Sequence, residues 1–219
     1  MVSRDGAKIV KLRLKAQEHV QAAEDRVAMN DRKGALAENQ SAVQATLRLR
    51  KAEPDNPRHD AVLASLFYNQ ALLWEENGDG LRGVTAARQS VGLYESLDPT
   101  RGGQLLLADV LDVTPPITGG GSPIDAARLF AFLADARSRL ACLLGAHASP
   151  DRHRDRELKR FDRDPSLTLR HEINVLDQQS YFAYRDLVAC SRATEDDKNR
   201  ILLQNGEALG NYHARFQGE

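Results

Sequence analysis

The sequence predicts an all-α protein, and three observations support that fold class. Apolar residues recur at intervals of three and four along nearly every segment, which places them on one face of a helix. The β-branched and aromatic residues follow the same helical spacing and do not alternate, so no strand is expected. Finally, 42% of the 219 residues are hydrophobic, which is enough to bury a sizeable core.

The first part of the chain contains four predicted helices. The first ends near Asn30 and Asp31, and the second continues until Pro54 and Pro57 impose an extended connector. The third and fourth follow that connector. The apolar stripes of these helices consist of Ile9, Leu12, Ala16, Val20, Ala23 and Val27; of Leu36, Val43 and Leu47; of Leu63, Phe67, Ala71 and Trp74; and of Val84, Ala87, Val91 and Tyr94.

An internal repeat becomes visible when residues 31–49 are compared with residues 79–97. At the resulting offset of 48 residues small or matching residues coincide. We therefore expect two similar helix pairs, with small residues where the paired helices approach closely. The coinciding pairs are Asp31 with Asp79, Ala35 with Gly83, Val43 with Val91, and Ala23 with Ala71.

The segment from Ala64 to Pro99 resembles a tetratricopeptide (TPR) repeat. Its W-x2-L-G-x2-Y signature corresponds here to Phe67, Gln70, Ala71 and Trp74. Gln70 takes the place of an apolar residue of that signature. The other matching features are Gly78-Asp79 in the turn between the helices, Gly83 at the helix crossing and Pro99 as the stop.

The resemblance implies antiparallel helix pairs stacked as an α-α superhelix, and a protein that binds a partner rather than an enzyme. In TPR-like folds the first helix of each pair lines a concave groove, where an Asn commonly holds the backbone of a partner peptide. Asn69 matches that position, although it could instead support the scaffold by bonding a neighbouring helix. The groove implied by the resemblance contains Gln21, Tyr68, Asn69, Leu72, Glu75 and Glu76.

The rest of the chain adds more predicted helices, about eight in all. Residues 104–113 are read as a short apolar helix, residues 114–123 as a loop, and residues 124–144 as a helix buried on more than one side. A helix over 169–190 and a final helix from Thr194 form a C-terminal pair that caps the stack. The predicted organisation is repeats over 1–145, a charged connector over 146–165 and the C-terminal pair over 166–219.

Composition excludes several function classes. Thirty basic and 31 acidic side chains leave a net charge of −1, so neither nucleic acid nor a membrane surface is expected as a partner. The glycines at 119–121 lack the Lys-Ser/Thr of a phosphate-binding loop, and no His or Cys has metal-ligand spacing, so we expect no metal and no cofactor. The apolar settings of Cys142 and Cys190 and the absence of a signal-peptide pattern favour the cytoplasm.

Two alternatives to a scaffold or adaptor that binds a protein segment remain open. One is a helical sensor or regulatory domain that binds a small molecule or signalling peptide in a closed apolar cavity. The other is a helical-bundle enzyme, which would need acids or histidines converging from facing helices. The sequence shows no such convergent set.

Overall fold

The computed structural model describes residues 4–97, 111–113, 122–124 and 126–147, together with four single helical residues of the later chain, Glu172, Val175, Leu176 and Gln179. The chain divides into two compact units, Met1–Ala126 and Ala127–Glu219. The predicted final helix and most of the predicted charged connector lie outside the described residues. Throughout the described part, helices dominate, as the all-α prediction requires.

The described part of the first unit contains four helices, which confirm the first four predicted helices. They are α1 (Arg4–Ala28), α2 (Arg32–Ala52), α3 (Pro57–Glu76) and α4 (Gly80–Leu97). Each helix packs on the next along the chain: α1 on α2, α2 on α3, and α3 on α4. The loops between them are only three or four residues long, so successive helices run in opposite directions.

The two turns inside the helix pairs have the same position in the predicted repeat. The first helix of each pair ends at Ala28 or Glu76, and the second begins at Arg32 or Gly80, so both boundaries differ by the same offset of 48 residues. Each turn also contains one residue with a left-handed backbone, Asn30 with φ of 60° and Gly78 with φ of 83°.

The backbone hydrogen bonds of the two turns correspond one to one. A donor in the first turn and its acceptor have counterparts 48 residues later, which makes the two turns equivalent in backbone structure. The corresponding bonds are Met29 N to Asp25 O and Asn77 N to Leu73 O; Asn30 N to Val27 O and Gly78 N to Glu75 O; Asp31 N to Arg26 O and Asp79 N to Trp74 O; and Ala35 N to Asp31 O and Gly83 N to Asp79 O.

An aspartate caps the second helix of each pair in the same way. The Asp31 carboxylate accepts a hydrogen bond from Gly34 N at 2.9 Å, and the Asp79 carboxylate accepts one from Arg82 N at 3.2 Å. The hydrogen bond from Gly34, followed by one from Arg26, holds the pKa of Asp31 below its ordinary value. A Cβ at Gly34 would overlap the Asp31 carboxylate as it stands, so a larger residue there would require that side chain to shift.

Small residues are buried where the repeat predicts close helix contacts. Ala23, Ala35, Ala71 and Gly83 are all buried, and Ala35 and Ala71 have no exposed surface. Leu47 departs from the predicted stripe of α2, because it is 37% exposed. The buried arc of α2 instead includes Ala35, Leu36, Asn39, Ala42, Val43, Ala45, Thr46 and Leu49, and Leu47 lies off that arc.

A short antiparallel hairpin corrects the prediction for residues 104–124. β1 (Leu111–Val113) pairs with β2 (Ser122–Ile124), with Leu111 opposite Ile124. The expectation of no strand is therefore wrong here, and so are the helix assignment at residues 111–113, the loop assignment at residues 122–123 and the helix start at 124. Residues 104–110 of the predicted helix lie outside the described residues. Short apolar runs have no decisive period, and the β-branched Val113 and Ile124 fit a strand as well as a helix.

The described helix of the second unit is α5 (Ala126–His147). Leu129, Leu133 and Leu140 are buried, and so are Ala134 and Ala141 on the adjoining face. This confirms the prediction of a helix buried on more than one side. Of the predicted helix over 169–190, the four described residues are helical and Leu176 is buried.

Candidate functional site

A groove between α1 and α3, with α2 beneath it, is the candidate site of the first unit. Its cavity volume is about 60 Å³ and it is partly open to solvent. Such a volume holds only a few water molecules or one side chain. The lining residues are Arg13, Ala16, Gln17 and Val20 of α1; Thr46 and Leu49 of α2; and Arg58, His59, Val62, Ser65, Leu66 and Asn69 of α3.

The apolar part of the lining belongs to the core of the unit. Ala16 and Leu49 are buried together between α1 and α2, and Val20 and Val62 pack against the buried Leu66. These residues fix the distance between the helices that form the groove. An apolar group that enters it therefore meets a surface that is already packed.

Two hydroxyl groups in the lining are bonded to the scaffold. Thr46 Oγ1 donates to the Ala42 carbonyl at 2.9 Å, and Ser65 Oγ lies 2.8 Å from the Tyr94 hydroxyl. Ser65 thereby links α3 to α4 behind the groove. With Ser65 engaged in this buried bond, its role is structural support of the lining.

A charged triad joins three helices at one end of the groove. His59 is 3% exposed and its Nε2 donates to Glu53 Oε2 at 2.7 Å. The same carboxylate accepts from Arg13 Nη2 at 3.3 Å. The hydrogen bond from His59, and then the positive charges of His59 and Arg13, hold the pKa of Glu53 below its ordinary value.

The connector between α2 and α3 positions two members of this triad, Glu53 and His59. Glu53 caps the C-terminus of α2, and its backbone N–H donates to Leu49 O. Three residues later Asn56 caps α3 by accepting from Arg58 N at 3.1 Å, with Pro57 in the first turn. The short Pro-containing connector thus starts α3 so that His59 faces back toward the end of α2.

Arg58 gives the groove a positive charge. Among the described residues no carboxylate lies within ion-pair distance of its guanidinium, whereas the nearby Asp60 pairs with Arg50 Nε at 2.8 Å. The lining contains two arginines and a histidine but no acidic side chain. Its free charge is therefore positive and complements a carboxylate.

The groove includes one of the six residues predicted for it. Asn69 lies in the lining and is 4% exposed, and both of the roles that the sequence left open for it stay predictions. Gln21 is exposed and donates to Asp25 Oδ1 at 3.1 Å, while Glu76 pairs with Arg32 at 3.1 Å. The other three predicted residues are half-buried and do not line the groove: Tyr68, Leu72 and Glu75.

Sequence reasoning missed Arg13, Arg58 and His59. A signal for part of this set existed, because positions 59, 62, 66 and 69 are spaced by three and four and share one face of α3. The contribution of α1 and the Glu53 contact depend on the packing of separate helices, which no local spacing encodes.

Other candidate features carry no site in the described residues. No cluster of three or more His, Cys, Asp or Glu occurs there, and no described helix has the length and hydropathy needed to cross a bilayer. Cys142 is half-buried in α5. The glycines at 119–121, His153 and His171 lie outside the described residues.

Comparison of the chain with known proteins finds no match. The chain matches no protein family, no curated protein and no solved structure. Most of the described residues are helical, and neighbouring helices pack in sequence order along the first unit.

Proposed function

We propose that this protein is an interaction module of TPR-like helix pairs whose α1–α3 groove binds a segment of a partner protein. The observation that carries the proposal is the groove itself, which lies between the first helices of the two equivalent pairs. It combines an apolar floor with Arg58, whose guanidinium has no ion-pair partner among the described residues. In a stack of helix pairs, these first helices form the concave side.

The volume and charge of the groove define what the partner segment presents. About 60 Å³ is well below the roughly 300 Å³ of a small-molecule pocket, so the groove suits a single side chain better than a cofactor or metabolite. We infer an apolar side chain against Val20 and Val62, with an aspartate or glutamate beside it near Arg58. Protein segments commonly dock in this way, with one anchor and a polar contact at its edge.

A peptide-display selection tests this proposal. The full chain is immobilised and random peptides are selected on it; we expect the enriched peptides to share an apolar residue next to an acidic one. Arg58→Glu should remove that enrichment, because it reverses the charge at the groove. Arg48→Glu is the matched control, since Arg48 is exposed on α2 and does not line the groove.

A second pair of variants tests the position of the peptide. Gln17 lines the groove and is exposed, so Gln17→Trp should fill it and weaken binding of the selected peptides at least tenfold. Gln44→Trp places the same side chain on an exposed part of α2 outside the groove. The proposal is wrong if both tryptophan variants bind alike, or if enriched peptides bind Arg58→Glu as well as they bind the parent.

A further inference from the structure

One face of α1 exposes a line of apolar and uncharged side chains. Val10 and Leu14 are 51% and 55% exposed. Ala7, Gln21 and Ala28 are exposed as well, and with Leu14 they recur every seven residues. A seven-residue repeat along a helix is the pattern of a seam between two helices. No other described helix of the first unit packs on this seam, since α2 contacts the opposite stripe of α1.

The exposed lysines and the exposed acidic residues beside the seam lie in different halves of α1, and Arg26 is a further exposed cation in the second half. Lys8, Lys11 and Lys15 lie in its first half, and Glu18 and Asp25 lie in its second half. Lys11 and Glu18 are seven residues apart, so they lie on the same side of the seam. Among the described residues neither one has an ion-pair partner.

We propose that α1 of one chain pairs antiparallel with α1 of a second copy through this seam. When the centre of the helix pair lies between Leu14 and Lys15, Lys11 of each copy lies opposite Glu18 of the other. A two-fold axis generates both ion pairs from one, as in other symmetric dimers. In a parallel pair Lys11 and Glu18 of the two copies would lie on opposite edges of the seam, so they could not form these ion pairs.

The size of the seam predicts a weak dimer. Twenty-five helical residues span about 37 Å, and one helix pair of that length buries less than the roughly 800 Å² per partner of a standard interface. Dimerisation should therefore depend on protein concentration. It should also weaken with added salt, because the two ion pairs are exposed to solvent.

Charge reversal tests the pairing. Sedimentation equilibrium of the full chain should show a monomer–dimer equilibrium, and Lys11→Glu or Glu18→Lys should each weaken the dimer about tenfold or more by turning two attractions into two repulsions. The double variant Lys11→Glu/Glu18→Lys should restore the dimer. An equimolar mixture of the two single variants should also dimerise, because every carboxylate then faces an ammonium group. Lys33→Glu, on an exposed position of α2, is the matched control.

Circular dichroism should give the same helicity for all of these variants, because the substituted side chains are exposed. A parent chain that stays monomeric over the accessible concentrations overturns the proposal. Equal dimerisation of the parent, the single variants and the mixture overturns it too, since the dimer then uses another face. The groove proposal is independent of either outcome, because Lys11 and Glu18 do not line the groove.

Discussion

The left-handed turn at Gly78 can be tested by making the same substitution at two glycines. Gly78 has φ of 83°, and a Cβ placed there would meet no atom within 4 Å. Gly92 lies inside α4, where a Cβ would likewise meet nothing within 4 Å, but its backbone is helical. The two sites therefore differ in backbone conformation and not in available space.

This difference predicts opposite changes in stability. An alanine in the left-handed region costs about 1–2 kcal/mol, of which the reduced freedom of the unfolded chain offsets a part, so Gly78→Ala should lower the free energy of unfolding by about 1 kcal/mol. An alanine in a helix interior is better than glycine by about 0.5–1 kcal/mol, so Gly92→Ala should raise it.

Urea unfolding followed by far-UV circular dichroism measures both changes, with the parent chain as reference. The two variants should lie on opposite sides of the parent midpoint with similar slopes. If Gly78→Ala unfolds at the parent midpoint, the turn does not require a left-handed residue. A Gly92→Ala variant less stable than the parent would show that α4 is covered at this position.

Three more predictions concern the core and the groove. Ala71→Leu should destabilise the protein by roughly 1–3 kcal/mol because Ala71 is fully buried, and an unchanged melting temperature would mean that it faces solvent. Asn69→Ala should lower the melting temperature and cost about 1–3 kcal/mol, since a buried amide that interacts within the structure is removed; an unchanged melting temperature with lost peptide binding would assign Asn69 to the partner contact instead. Because the pKa of Glu53 is lowered in the folded state, its stabilising effect is present above the ordinary value of 4.5 and is lost as the pH falls through the folded value. The melting temperature of Glu53→Gln should therefore fall below that of the parent at neutral pH and approach it in acid, and a constant difference across this range would contradict the role of the carboxylate.

The sequence predicts the first four helices well because the residues within and next to each helix determine its buried face and its ends. Apolar spacing marks the buried face, and Pro54 and Asp31 mark boundaries that local backbone chemistry enforces. The buried positions of Ala35 and Ala71 are also predictable, since only small residues fit at close helix contacts. These features depend on neighbours within a few residues along the chain.

The groove depends on contacts between distant residues, and sequence spacing predicts it poorly. Arg13 and Glu53 are 40 positions apart, and they meet only because α1 and α2 run in opposite directions. His59 reaches the same carboxylate from a third helix. The hairpin was missed for a different reason, because each strand has only three residues and the two strands are not adjacent in the sequence.

The equivalence of the two turns indicates which residues determine the backbone structure of the turn. Asn30 and Gly78 are different residues, as are Gly34 and Arg82, yet the turns form the same backbone bonds. Only a left-handed residue followed by a capping aspartate is common to both. About two residues therefore define the turn between two helices, and the other residues of the turn can vary. Replacing residues 29–34 with the sequence of residues 77–82 should therefore leave α1 and α2 packed in the same register.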